Sequence, residues 1–406
     1  MVKYEIKKIL SRTGSRIALF LLGLLVLFCG FGAMRNVAYV NEQGKEEVGP
    51  SAIRKLKTEV ARWEGELTTE KLTKVLEEHQ RISQTEEWNS TNMRESNKAF
   101  GWTQGYRDIY YLLIRAYCGF QDYDYYVVNR LTAADMPHFY ENRIKQLQEW
   151  LDTAAKDRFN KMEKEFLLAQ YQKLETPLYY EFHRGWTQLF EIAPTVQMIM
   201  VMILGYLLSG LFAREVSLKA DAVFFTSFYG RNKAVQAKVT AGFLLSTVVY
   251  WSTMAIYSLL VLGMIGIDGA GCMIQIRSGW KSIYNITMLQ EYLLILFGGY
   301  VGMLFFAALT MLISAKTKSA VVAVVTPFIL IFLPSFLPEH LPMLSKIIGL
   351  MPDQLLQIGQ ALLLFETYSI GGKIMGSLPI LFVGYVVIAA VLYPLVYRVF
   401  RRMEVK

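Results

Sequence analysis

The side chains best suited to hold a partner protein lie between Phe212 and Lys238, in the stretch FAREVSLKADAVFFTSFYGRNKAVQAK. Basic residues outnumber the acidic residues Glu215 and Asp221, and an apolar stripe runs through the middle. The basic residues are Arg214, Lys219, Arg231, Lys233 and Lys238, and the stripe consists of Ala220, Val223, Phe224 and Phe228. An amphipathic helix must bury its apolar face. We therefore expect a short helix that docks on a soluble partner, with a solvated connector as the alternative.

Residue types that commonly carry catalysis are few and scattered. The four histidines, His79, His138, His183 and His340, show neither an HExxH pattern nor the spacing of a metal site. No GxSxG string occurs, and the string nearest to a phosphate-binding loop, SIGGKI at 369–374, lacks the first glycine and the hydroxyl. We expect no enzymatic activity, no cofactor and no metal, and any ATP hydrolysis would belong to another chain.

The three cysteines do not form a disulfide framework. Cys29 falls in an apolar run, whereas Cys118 and Cys272 both fall on the predicted outer side of the membrane. This placement leaves a Cys118–Cys272 disulfide open as an alternative to free thiols.

The composition is that of a membrane protein. Of 406 residues, 53% are hydrophobic and only 19% are charged, which is too apolar for an ordinary soluble chain. Residues 35–192 hold 22 Lys and Arg against 25 Asp and Glu, so the net charge of +8 arises elsewhere, beside the apolar runs. This distribution indicates membrane topology and argues against a nucleic-acid partner.

Six apolar runs have the length of a transmembrane helix. They cover residues 17–34, 193–213, 239–264, 289–313, 320–337 and 374–397. The positive-inside rule places the basic loop 214–238 and both termini in the cytoplasm, and residues 35–192 outside the cell. Residues 1–16 read as an interfacial helix. The alternative is that they begin a signal peptide, but no cleavage site of the AxA type follows.

Two segments outside these runs are also predicted to be helical. Residues 351–366 are apolar but too short to span, which suits a re-entrant or interfacial helix on the outer side. In residues 35–192, apolar side chains recur at helical spacing, from Ile53 to Leu67 and again from Phe139 to Leu174, with a phase slip before Phe159. Aromatic residues crowd positions 99–131, where we expect a core or a wall. The predicted fold is an all-α polytopic membrane protein with six transmembrane helices and an extracellular helical domain between the first two.

Charged residues are nearly absent from the predicted spans. Only Glu291 lies near one, at an outer end, a position that permits snorkelling. No ladder of acidic residues suggests a proton-coupled carrier. A transporter without ion-coupling groups of its own must take its energy from elsewhere.

Several strings together resemble the permeases of ABC type-2 exporters. Phe212-x-x-Glu215, Thr226, Gly230-Arg231 and Lys238 resemble the loop between the second and third helices of that family. The start, YEIKKI at 4–9, is similar to the family's start. FYENR at 139–143 and PLYYEFHRGW at 177–186 resemble a large insertion found in permeases of low-GC Gram-positive bacteria. The chain departs from the family in Phe224-Phe225, where leucines are common.

The resemblance implies a cell-membrane permease subunit that exports a peptide or an amphiphilic compound as a homodimer or heterodimer, driven by a separate ATPase subunit. The basic loop would then be a coupling helix that docks in a groove of the ATPase. The residues implied in this contact are Phe224 and Phe228 as anchors, Glu215, Arg231 and Lys238 for orientation, and Thr226 in the turn. Singly, Arg231 and Lys238 would alternatively contact anionic lipid headgroups. A rival function is a membrane-anchored receptor or sensor that binds a peptide through its outer helices.

Overall fold

The computed structural model describes residues 1–219, 223, 226–277, 279–337 and 342–402. Phe224, one of the two expected anchors, lies outside the described residues, as do Ala220, Asp221 and Phe225. The remaining members of the expected contact, Glu215, Thr226, Phe228, Arg231 and Lys238, are all described.

The chain begins with a short helix followed by a long apolar one. Helix α1 covers Val2–Leu10 and α2 covers Thr13–Arg35. Ile9 is fully buried, so α1 packs one face onto the bundle and leaves its lysines outward. The long helix exceeds the predicted 17–34 at both ends.

Short helices and hairpins make up residues 36–183. They are β1 Ala38–Val40, β2 Glu46–Val48, α3 Pro50–Ala61, β3 Gly65–Glu66, α4 Thr69–Ser83, α5 Met93–Trp102, α6 Arg107–Tyr117, α7 Phe139–Asp152, α8 Lys161–Gln172 and β4 Tyr179–Tyr180. Strand β1 pairs with β2 and β3 with β4, each antiparallel. Two 3₁₀ turns, Val127–Arg130 and Met136–His138, connect α6 to α7. The expected helical content is therefore present, with very little sheet.

The single helix expected from Phe139 to Leu174 is two helices. A capping box begins α8, because the Asn160 side chain accepts from the Glu163 amide and Glu163 accepts from the Asn160 amide. The phase slip before Phe159 in the sequence marks this break. The aromatic stretch 99–131 is only partly a core, since Tyr106 and Tyr110 are buried whereas Tyr126 is 68% exposed.

Three long helices follow and form the centre of the bundle. Helix α9 covers Arg184–Ser217, α10 covers Val235–Ile265 after a π-helical turn at Gly230–Ala234, and α11 covers Met288–Thr317. The side-chain hydroxyl of Thr287 caps α11 and Gln290 completes a capping box. A 3₁₀ turn, Ile274–Ile276, lies between α10 and α11.

The last part of the chain is broken into short elements before a final long helix. Helix α12 covers Ala320–Phe332 and continues as the 3₁₀ turn Leu333–Phe336. Two short helices and a 3₁₀ turn follow: α13 Pro342–Ile348, the 3₁₀ turn Pro352–Leu356 and α14 Ile358–Ala361. The antiparallel hairpin of β5 Thr367–Ile370 and β6 Lys373–Gly376 then leads into the final helix, α15 Ser377–Arg401. The single helix expected at 351–366 is thus a 3₁₀ turn and a four-residue helix.

Five helices of the described chain are long and apolar enough to cross a membrane: α2, α9, α10, α11 and α15, with α10 counted from the turn at Gly230. A multi-pass, predominantly helical membrane protein is therefore confirmed in outline. The predicted fifth span, 320–337, is a shorter apolar helical segment of 320–336 and does not reach that length.

The ends of these helices define two ends of the bundle. At one, which we call the loop end, the rings of Phe212 and Phe400 lie 4.5 Å apart, and Ser314 donates to the carbonyl of Ser209. This end holds α1, the end of α9, the start of α10, and the ends of α11 and α15. The opposite end, which carries residues 36–183, we call the domain end.

The domain end is built from several parts of the sequence. The Tyr171 hydroxyl donates to the carbonyl of Lys281 at 2.6 Å, and the Thr367 hydroxyl donates to Glu163 at 2.8 Å. Lys346 also contacts Glu163, at 3.0 Å, and Arg158 pairs with Glu366. Residues 36–183 therefore pack against two later parts of the chain, the loop that contains Lys281 and the segment 342–376.

Candidate functional site

A buried network of ionised side chains lies at the loop end, where three helices meet. The Lys238 ammonium, on α10, contacts Glu215 of α9 at 2.8 Å and Glu5 of α1 at 2.9 Å. Lys8 of α1 contacts the same Glu215 oxygen at 2.5 Å. The Lys238 side chain is 1% exposed and that of Glu215 is 7% exposed.

The sequence explains why these residues meet. Glu215 lies in the last turn of α9 and Lys238 in the first turn of α10, so their ion pair brings the two ends of the loop together. Glu5 and Lys8 are three residues apart, which puts both on one face of α1. Charges taken out of water are tolerated when each is paired. This network fixes both ends of the loop to the amino-terminal helix.

Two residues of the expected partner contact, Glu215 and Lys238, belong to this network. Both are buried and engaged with α1. In this conformation they hold the loop in place. Glu5 and Lys8, which complete the network, were missed because nothing in the sequence shows which helix lies beside the loop.

The loop itself presents apolar side chains to the outside. Phe228 is 89% exposed, Val223 is 74% exposed and Leu218 is 61% exposed. Thr226 is exposed as well, and its hydroxyl donates to the carbonyl of Val223 at 3.2 Å. The centre of the Phe228 ring lies 4.7 Å from the centre of the Tyr229 ring. Burial of Phe228 against another surface would remove a large apolar side chain from water.

Arg231 lies apart from the ion network. It is exposed, and its guanidinium donates to the carbonyl of Arg401 at 3.0 Å, at the end of α15. The structure thus separates the expected set into three groups: the buried pair Glu215 and Lys238, the exposed loop with Thr226 and Phe228, and Arg231 beside α15.

A second polar group lies near the domain end of the bundle, between α9, α10 and α11. Glu291 is 1% exposed and pairs with Arg277 at 2.9 Å, so its charge is balanced inside the protein and does not reach the surface, although its position would permit snorkelling. The Gln197 amide donates to the carbonyl of Ile295 at 3.1 Å, and the Tyr250 hydroxyl donates to that of Leu296 at 2.6 Å. A glutamine inside the predicted span 193–213 was the available signal for this cluster.

A third charged group joins the domain end to α9. Arg184 contacts Asp108 at 3.0 Å, and the His183 ring nitrogen lies 3.7 Å from the same carboxylate. Burial opposes ionisation of Asp108, yet the positive charge of Arg184 keeps the pKa of Asp108 below its usual value. These contacts fasten α6 to the first turn of α9.

No group of three or more His, Cys, Asp or Glu side chains with the arrangement of a metal site occurs in the described ranges. Cys29, Cys118 and Cys272 are buried free thiols, so the alternative of a Cys118–Cys272 disulfide is not realised.

The comparisons with known proteins leave the chain without a family assignment. No protein-family model, no curated protein and no solved structure matches it.

Proposed function

We propose that this chain is the membrane-spanning permease subunit of an ATP-binding-cassette exporter. It would move a peptide or an amphiphilic compound out of the cell, while a separate ATPase subunit supplies the energy. The observation that carries the proposal is the loop between α9 and α10, which combines exposed apolar side chains with two buried, ion-paired ends.

The arrangement suits the transmission of force. A flexible loop would move without displacing the helices beside it. This loop, in contrast, is held to α1, α9 and α10 by the ion pairs of Lys238. A partner that closes on Phe228 would therefore displace three helices together. Buried apolar anchors commonly supply most of the affinity of such contacts.

The proposed topology has six crossings, with both termini and the loop in the cytoplasm and residues 35–192 outside. The path of the chain after α11 supports it. Helix α12 starts at the loop end, next to Thr317, and Pro327 lies opposite Gly205, part way along α9. Leu355 and Ile358 then pack against Gly302 and Gly298 of α11, nearer the domain end. Helix α12 with its 3₁₀ extension would make the fifth crossing and α15 the sixth, and 351–366 would be re-entrant.

The contact test is co-purification of the full chain with its ATPase. From its native cells, the tagged chain should bring down a soluble protein that carries the GxxxxGK[ST] motif. Phe228→Asp should reduce the recovered ATPase at least tenfold, because a charge replaces the exposed anchor. Met162→Asp is the matched control, since Met162 is 62% exposed but lies on α8 at the domain end.

The outcomes separate the proposal from the rival receptor function. Recovery of no motif-bearing ATPase, or equal recovery with Phe228→Asp and wild type, contradicts the proposed contact. A receptor would bind a peptide through its outer helices and would keep that ligand in the Phe228→Asp variant. Neither function requires this chain to hydrolyse ATP by itself.

A further inference from the structure

A cleft at the loop end, between the start of α10 and the end of α15, is strongly basic. It has a volume of about 860 Å³ and is lined by four arginines together with an asparagine and a tyrosine. These residues are Arg231, Arg398, Arg401, Arg402, Asn232 and Tyr397. Among the described residues, no acidic side chain lines this cleft, and Glu404, the nearest acid in the sequence, falls outside them.

Several contacts shape the cleft. Arg231 reaches the Arg401 carbonyl at 3.0 Å, and the Tyr397 hydroxyl donates to the side-chain oxygen of Asn232 at 3.4 Å. The Arg401 guanidinium lies 5.9 Å from the centre of the Tyr397 ring. Arg398, Arg401 and Arg402 bring three positive charges of α15 to the cleft, and an anion held there would be attracted by them.

A groove with aromatic, aliphatic and polar walls continues from this cleft toward the middle of the bundle. It has a volume of about 400 Å³, lies between α10 and α15, and shares Pro394 and Tyr397 with the basic cleft. Its other walls are Val239, Thr240, Gln236 and Tyr393. A molecule with an anionic head and an apolar tail would place its head in the basic cleft and its tail in the groove, whereas a free anion would occupy only the cleft.

We propose that the cleft and groove together bind one anionic phospholipid, with its phosphate among the arginines and an acyl chain between α10 and α15. The position suits a bilayer lipid, because both helices are long enough to span and the arginines lie at their loop ends. Bound there, the lipid would join the start of α10 to the end of α15. The proposal concerns Arg231 and α15, and it does not depend on an ATPase partner.

The test is native mass spectrometry of the full chain, delipidated in a neutral detergent and titrated with defined lipids. Phosphatidylglycerol and cardiolipin should give bound adducts at concentrations at least tenfold lower than phosphatidylcholine does. Arg398→Gln/Arg401→Gln should remove this preference. Lys316→Gln/Lys318→Gln is the matched control, because it removes two exposed positive charges at the same end and outside the cleft.

A second pair of measurements addresses the groove and the source of the phosphate. Thr240→Trp, which fills the groove, should weaken adducts of long-chain phosphatidylglycerol, while the thermal unfolding midpoint without lipid reports whether the variant folds. Inorganic phosphate should not compete at millimolar concentration. Equal binding of phosphatidylcholine and phosphatidylglycerol, or unchanged binding in the double arginine variant, overturns the proposal. Effective competition by inorganic phosphate, or no effect of Thr240→Trp in a folded protein, overturns the assignment of a lipid.

Discussion

Lys238 is the residue on which the loop end depends most. It is the cation shared by Glu215 and Glu5, and its side chain is almost completely buried. Lys238→Met keeps most of the volume but leaves two acids without their shared cation. Removal of one partner from a buried ion pair typically costs roughly 3–5 kcal/mol. Since Lys8 still reaches Glu215, we expect a loss toward the lower end of that range, measured as a lower thermal unfolding midpoint in detergent.

The double variant Lys238→Met/Glu215→Gln is the control for this prediction. If the loss arises because the buried Glu215 charge keeps only Lys8 as a partner, the double variant should recover stability relative to Lys238→Met alone. A double variant that loses the sum of the two single effects would show that lost packing, and not the Glu215 charge, is the cause.

His79 gives the domain end a predicted sensitivity to acid. The ring is 2% exposed, stacks on Tyr110 with ring centres 4.0 Å apart, and its Nδ1 has no hydrogen-bond partner. Burial lowers the pKa of His79 to about 4. In the unfolded chain an ordinary histidine takes up a proton below pH ~6.5.

Between these two pKa values the unfolded state therefore binds more protons than the folded state. The free energy of unfolding should fall as the pH is lowered from about 6.5 to 4, by at most about 3 kcal/mol from this group. His79→Phe keeps a ring against Tyr110 and should flatten this part of the stability profile. Parallel profiles for wild type and His79→Phe would contradict the prediction.

At the scale of the elements, the long helices were predicted well and the breaks between them poorly. Apolar runs of this length have few structural alternatives in a bilayer, so 193–213, 239–264 and 289–313 fall within α9, α10 and α11. The break between α7 and α8 is marked in the sequence by a change in the phase of the apolar spacing before Phe159. Within the site, the loop was recognisable from composition, but the contact of Glu215 with α1 depends on tertiary packing, which no local pattern encodes.

The junction of α9 and α10 at the domain end is a close contact between backbones. A Cβ added to Gly185, in the first turn of α9, would lie 2.1 Å from the carbonyl oxygen of Gly266. Gly266 itself follows α10 with a φ of 128°, a conformation that favours glycine. The two helices can meet here only because Gly185 has no side chain.

Gly185→Ala should therefore force the helix ends apart and destabilise the protein by about 1–3 kcal/mol. Gly384→Ala is the matched control, because Gly384 is also helical and a Cβ there meets nothing within 4 Å. Its higher helix propensity should leave the unfolding midpoint equal or slightly raised. A midpoint for Gly185→Ala equal to that of the control would show that the contact relaxes at no cost.

At the scale of the whole molecule, the number of crossings decides where the carboxyl terminus lies. Helices α11 and α15 both end at the loop end, as the contacts of Ser314 with α9 and of Phe400 with Phe212 show. The chain must therefore return from the end of α11 to the domain end before α15 begins. Within the described part of the chain, α12 and the short elements that follow it are the segments that can make this return.

Single-cysteine labelling in intact cells tests this arrangement. The background is a variant in which the three buried thiols, Cys29, Cys118 and Cys272, are replaced by alanine. Glu77→Cys, at an exposed position of α4, should react with an impermeant maleimide from outside. Lys316→Cys and Arg402→Cys, both exposed at the loop end, should react only after permeabilisation. If Lys316→Cys and Arg402→Cys label from opposite sides, α12 does not carry the chain across, and the six-crossing topology fails. If both label from outside, the orientation is inverted and the loop cannot reach a cytoplasmic ATPase.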